Sequence, residues 1–416
     1  MNFVELKAGI SEYVHMEDDG LLRIALASVI ATRLRLGEPV WMLIVGPSSG
    51  GKSQLLRPLA LTDSNFIHRV DDLTENTLLS GQGAGDNSLL KKIGAHGIMV
   101  VSDLTVLFSK NAEARNAILA QLRMVYDGEM VKHVGNSGKP ISWKGELGVL
   151  AGSTPSVYGH FEEVADMGER FICYRMKAYD MEIATRRSLA RKSFGRELDT
   201  KLSEVYSEYI KSCVLGDDDV PALSDEDDEK ILQLALFAAR LRTPVHYDKY
   251  LRQPDRVPVQ EAPMRIALQL RSIALGLSVM RFNECGEWIL QEEDFTALAW
   301  CAYSLANEER RACIRVMSQI EYKVAMKTSS VADRIGLSTE MTRLHLQHLA
   351  AIGIVERSGD SESLAWAIRD RKDYDLFRKL EGIDGVEELD ERETTSEDGY
   401  ENQMADDAWE SIIASQ

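Results

Sequence analysis

The sequence predicts an α/β fold, a parallel sheet with flanking helices, followed by a helical region and a small C-terminal domain of helices and a hairpin. Three observations predict it. The short apolar runs Trp41-Met42-Leu43-Ile44-Val45, Ile98-Met99-Val100-Val101 and Leu147-Gly148-Val149-Leu150-Ala151 have the pattern of strands covered on both faces, as in a parallel sheet. Helical stretches separate these runs. A glycine-rich loop joins the first run directly to a helix opening Gln54-Leu55-Leu56.

Residues 1–38 read as helical: from Leu21 to Ile30 apolar residues recur at i, i+3 and i+4, and the pattern stops near Gly37. The α/β core is expected over 39–178. Its loop, Gly46-Pro47-Ser48-Ser49-Gly50-Gly51-Lys52-Ser53, fits G-x-x-x-x-G-K-[ST] without a mismatch, in the strand-loop-helix setting that this phosphate-binding motif requires. The glycines let backbone N–H groups close around phosphate oxygens, and the helix N-terminus adds partial positive charge. The expected ligand is a nucleoside triphosphate, ATP, with Mg²⁺. Residues 46–54, ending in Gln54, are the expected contacts. Lys52 is to reach the β- and γ-phosphates and Ser53 to hold Mg²⁺.

Such a loop needs a second, acidic strand end. Asp103 supplies it after the 98–101 run, to position Mg²⁺ or water; its alternative role is to cap the next helix. Leu104 follows it. Glu75, in Asp72-Leu73-Thr74-Glu75-Asn76, is either a displaced acid or a helix-start residue. Thr154, closing the third run through Gly152-Ser153, is placed to sense a γ-phosphate.

From 179 to 307 the pattern is helical, over about 183–214, 229–240, 262–280 and 292–306, with an acidic loop expected from Gly216 to Asp228. Residues 308–372 read as a winged helix. Ser329–Ile335 and Thr339–Leu349 flank the turn Gly336-Leu337-Ser338, and the runs 352–357 and 364–368 form a wing. Arg343, His345, Gln347, His348 and Arg357 are its candidate DNA contacts, against a protein-contact or regulatory role for the same domain. Residues 373–416 form an acidic tail expected to be disordered. Trp409, Ile412 and Ile413, at i, i+3 and i+4, offer a hook that folds on a protein partner.

Composition sets the remaining bounds. The net charge of −18 sits mostly in the tail, where 382–416 holds twelve acidic residues and one basic residue, Arg392. Whole-chain charge therefore does not exclude a nucleic-acid partner. No apolar run is long enough to span a membrane and no signal peptide is visible. The five cysteines, Cys173, Cys213, Cys285, Cys301 and Cys313, contain no CxxC pair, which points to a reducing cytoplasm.

Taken in order, these motifs resemble those of AAA+ ATPases, and within them the minichromosome maintenance helicases and related replicative ATPases of phages and mobile elements. Met167-Gly168-Glu169-Arg170-Phe171 resembles the segment with the arginine finger that reaches a neighbouring subunit's ATP site. The stretch Tyr126 to Trp143 is similar to the pre-sensor hairpin, which implies DNA phosphate contacts from Lys132, His133 and Lys139. Pro263-Met264-Arg265-Ile266 resembles the lid helix, with Arg265 as second sensor. The resemblance covers about 25–310, and the winged helix extends it to 370. Two departures stand out: only about 38 residues precede the core, and Leu104 occupies the place of the family's catalytic Glu.

The resemblance implies a ring-forming ATPase, a homo-hexamer or other ring, that moves on single-stranded or forked DNA and hydrolyses ATP at subunit interfaces. Leu104 favours an alternative, an ATP-switched initiator, helicase loader or regulator with slow hydrolysis. A third reading is an ATPase subunit of a defence complex that acts on protein.

Overall fold

The computed structural model describes residues 1–80, 88–133, 140–160, 170–190, 194–216, 219–248, 253–254, 256–358, 364–389 and 393. The chain divides into two compact units, residues 1–236 with 263–304, and residues 237–262 with 305–416.

The first unit is built on five parallel strands: β1 (Trp41–Val45), β2 (Ile67–Val70), β3 (His96–Val101), β6 (Glu146–Ser153) and β7 (Ile172–Arg175). They lie in the order β2-β3-β6-β1-β7, all pairings parallel. β4 (Glu129–Lys132) and β5 (Ile141–Lys144) form a separate antiparallel hairpin, with Met130 opposite Trp143. All five residues of β1 are buried, as a strand covered on both faces requires. The apolar runs in the sequence therefore become the central strands; the edge strand β2, half polar, carried no such signal.

Two helices precede the sheet, α1 (Phe3–Ser11) and α2 (Asp19–Leu34). Every residue of α2 from Ile24 to Thr32 is buried. It packs against β6, the helix Met264–Cys285 and the helix Glu292–Ser304. Gln269 is fully buried in the first of these helices, and its Oε1 accepts from the Trp41 amide at 2.9 Å, which pins the start of β1. Between the two helices Arg281 donates to both carboxylate oxygens of the fully buried Asp294, at 2.8 and 2.9 Å. It also pairs with Glu293 and Glu284, and Arg23 of α2 joins through Glu293 at 3.0 Å.

The helical stretch expected over 183–214 is two helices, Met181–Leu189 and Gly195–Ser212. The expected acidic loop ends early. Asp225 to Asp228 form the first turn of the helix Asp225–Arg242, where negative side chains face the positive end of the helix dipole.

The second unit holds helices Glu308–Met317, Thr328–Ile335, Thr339–Ala351 and Arg371–Glu381. A three-stranded antiparallel sheet places Ala365–Ile368 between Met326–Lys327 and Val355–Ser358. The helix Arg371–Glu381 corrects the expected start of a disordered tail at 373. Tyr374, Phe377 and Leu380 are buried on one face of it, so this segment belongs to the core. The segment 394–416, with the hook residues Trp409, Ile412 and Ile413, lies outside the described residues. Among the described residues no helix is long and apolar enough to cross a membrane.

Two predictions follow from burial. Removing one partner of a buried ion pair leaves the other charge uncompensated, so Asp294→Ala is expected to cost about 3–5 kcal/mol in urea unfolding. In the second unit, burial lowers His345 and pushes His348 down to about 3. Both nitrogens of His345 and Nε2 of His348 are buried without hydrogen-bond partners among the described residues. The unfolded chain therefore binds more protons than the folded one below the ordinary histidine pKa of about 6.5. Stability is complete above that pH and falls on acidification; His345→Phe with His348→Phe should flatten the dependence of melting temperature on pH between 7 and 5.

Candidate nucleotide site

Because the five strands run parallel, all their C-terminal ends open on one edge, the edge where ligands of open α/β sheets bind. The glycine-rich loop leaves β1 there and turns into α3 (Lys52–Leu61). Gly51 at its N-cap has φ +92°, in the region that favours glycine. A Cβ at Gly50 would stand 2.9 Å from the Pro47 carbonyl oxygen, and one at Gly46 2.5 Å from Met176 Sδ. No side chain caps the first turn of α3; of its amides Gln54 N donates to the Gly51 carbonyl at 2.9 Å. Lys52 is buried, and its ammonium donates to the Gly46 and Pro47 carbonyls, both at 2.7 Å. Burial pulls it below the usual lysine range, and the Asp103 carboxylate opposes that shift. A tight glycine cradle, an uncapped helix start and a cation beside a carboxylate fit a triphosphate with its Mg²⁺.

β6 lies between β1 and β3, so the strand end at Thr154 falls between the loop and Asp103. Asp103 is exposed, and its Oδ1 accepts from the Thr105 amide at 2.9 Å. Thr105 Oγ1 lies 3.2 Å from Ser153 Oγ and 3.4 Å from Thr154 Oγ1, which lies 2.7 Å from Ser156 Oγ. A hydroxyl cluster thus spans two strand ends. Of it, sequence reasoning named Thr154 alone, although the Ser-Thr pair at 153–154 was a signal. Leu104 points the other way, into the core with Leu107 and Phe108. Glu75 follows β2 with its carboxylate exposed, and its backbone carbonyl accepts from Gln121 Nε2 and Lys132 Nζ.

A cleft of about 360 Å³ adjoins the loop at Ser49, Gly50, Gly51 and Gln54. Its far walls, residues 15–21 and 176–179, carried no motif and were missed. Asp18 ties these walls together. Its carboxylate accepts from Tyr174 Oη at 2.6 Å, from the Lys177 amide at 3.2 Å and from Leu21 N at the start of α2 at 3.1 Å. Burial, and then Asp18, push Tyr174 well above the ordinary phenol range, so it remains a donor.

Arg170 and Arg265 do not reach the loop of their own chain. Arg170 precedes β7 and pairs with Asp127 at 3.3 Å, its guanidinium 5.5 Å from the Tyr126 ring. Tyr126 packs on Trp41, the first residue of β1. Burial and Glu38 push Tyr126 up to about 12, against the opposing charges of Arg265 and Arg170. Arg265 stands one turn before Gln269, which bonds the Trp41 amide, so both arginines lie toward the N-terminal edge of the sheet, while the phosphate loop leaves the opposite edge. The five-residue β1 alone separates the two by about 16 Å.

The expected DNA contacts divide. The Lys132 ammonium is held by Glu75 O at 2.9 Å, Asn76 Oδ1 at 3.1 Å and Leu79 O at 3.0 Å, so it fastens the hairpin to the loop after β2. His133, Arg343 and Arg357 are exposed. His348 instead packs its ring against Tyr247, with centroids 6.0 Å apart, and His345 is buried beside it. Lys139 lies outside the described residues.

Replacing Asp18 by Ala strips three donors of a charged acceptor. It is expected to cost about 2–3 kcal/mol, read by urea unfolding. No protein-family model matches the chain, and no curated protein matches it.

Proposed function

We propose that the chain is an ATPase of the AAA+ type, resembling the minichromosome maintenance helicases, that works on DNA as a ring in the cytoplasm. The observation that carries this reading is the segregation of charge across the sheet. A phosphate loop with Asp103 and Thr154 stands on one edge, and Arg170 with Arg265 stands on the other. In a head-to-tail ring the second edge of one copy meets the first edge of the next, so each site is finished by its neighbour.

In this reading the loop amides and Lys52 hold the β- and γ-phosphates, and the 360 Å³ cleft takes the base and ribose. Ser53 and Asp103 would hold Mg²⁺, which supplies charge neutralisation on the phosphates. The hydroxyls of Thr105 and Thr154 orient the attacking water or the γ-phosphate oxygens. Arg170 and Arg265 of the neighbour stabilise charge as the γ-phosphoryl leaves. The β4–β5 hairpin contacts DNA phosphates through His133 and Lys139, and the winged-helix-like second unit adds Arg343 and Arg357.

Leu104 supports a second reading, in which ATP is a switch in an initiator or loader. It is built into the apolar core, so no acid beside Asp103 serves as a base.

An ATPase assay with and without single-stranded and forked DNA, paired with fork unwinding, separates the two. The motor turns over faster on DNA and parts the strands; the switch binds ATP without turnover. Lys52→Ala should abolish ATP binding. Arg170→Ala should leave binding within about twofold and reduce turnover by about 10³. Mixing the two inactive variants should restore part of the activity, since some interfaces pair an intact loop with an intact arginine. A mixture as inactive as its components would refute the shared site.

A further inference from the structure

The wall of the cleft formed by the helix Met181–Leu189 differs from the rest of the first unit. None of its nine residues is buried, and Met181 and Leu189 are 64% and 81% exposed. Ala184 and Ser188, one turn apart on one face, nevertheless line the cleft beside the phosphate loop. A helix this short is marginal in water without tertiary packing. Its local support is the cap from Asp180, which accepts from Glu182 N and Ile183 N at 2.9 and 3.0 Å, and the pair Glu182–Arg186 at 2.6 Å.

A side-chain contact ties it across the cleft. Arg187 donates from Nη1 to His15 Nδ1 at 2.7 Å. A guanidinium has no acceptor, so the ring receives this bond on Nδ1 and carries its proton on Nε2, which lies near Glu17 Oε1 but outside hydrogen-bond geometry. The His15 side chain is buried, with 6% exposure, and Asp18 three residues on holds its segment to β7. The catch is thus buried and tied to β7, whereas the helix has no buried residue.

We propose that the helix Met181–Leu189 is a lid over the nucleotide cleft, and that Arg187 and His15 are positioning residues that form its latch and set the rate of nucleotide exchange. This rests on the ATP reading above. Breaking the latch shifts the helix toward its open form, so bound nucleotide leaves faster while the phosphate contacts at Lys52 stay intact.

Release of the fluorescent analogue mant-ATP, chased by excess ATP in a stopped-flow instrument, tests the latch. Arg187→Ala and His15→Ala should each speed release roughly three- to tenfold, the worth of one hydrogen bond. The double variant should be no faster than the singles, because both break one bond. Arg186→Ala, which removes only the exposed intrahelical pair, should change release by less than about twofold. Hydrogen exchange of the nucleotide-free chain should rise at residues 181–189 several-fold more in Arg187→Ala than in Arg186→Ala. Additive effects of Arg187→Ala and His15→Ala, equal effects of Arg186→Ala and Arg187→Ala, or unchanged exchange would each overturn the latch. If wild-type protein fails to bind mant-ATP, the ATP reading fails, and the exchange measurement alone decides whether helix 181–189 is latched to His15.

Discussion

Strand β1 has no exposed residue, and its parallel neighbours β6 and β7 run along it in continuous register. A parallel strand covered on both faces leaves the sheet no free surface except its two edges, so every polar group with a chemical task must emerge at an edge. Burial of five large apolar side chains, each worth about 1.5–3 kcal/mol, holds β1 in place. Gln269 fixes its first amide. The phosphate loop takes its position from that strand, and Asp103, Thr154 and Met176 take theirs from β3, β6 and β7 beside it.

The same constraint separates the charges. Side chains at the ends of parallel strands cannot cross the sheet, so a cation that precedes β7 and a phosphate loop that follows β1 cannot meet within one chain. Arg170 is instead supported where it stands, by Asp127 and the Tyr126 ring. Lys132 is used in a comparable way: three oxygens from residues 75–79 hold its ammonium, which ties the hairpin root to the loop that leaves β2 near Asp103. The contact gives a physical connection between the hairpin and the phosphate edge.

Around this sheet the packing is uneven. Arg281, Asp294, Glu293 and Arg23 lock the helices beneath it, and α2 is buried over most of its length. The helix Met181–Leu189 has no buried residue at all. Rigid elements thus present the phosphate loop, and a loosely supported one closes the cleft next to it, the distribution expected where ligands must enter and leave.

What the sequence determined by itself was local. The loop 46–53 is recognisable because its geometry is set by glycines and by the strand and helix on either side. The strand runs 98–101 and 147–151 were legible because two-sided burial demands unbroken apolar runs; the structure extends them to 96–101 and 146–153. The tertiary structure decided whatever depends on partners far away in the chain. His348 turns toward Tyr247, Leu104 into the core, and Arg371–Glu381 onto apolar neighbours instead of into solvent. The cleft walls at 15–21 and 176–179 are joined by Asp18, which accepts from Tyr174 and Lys177. No short-range pattern encodes such contacts, since a side chain's partner is set by which strand the fold places beside it.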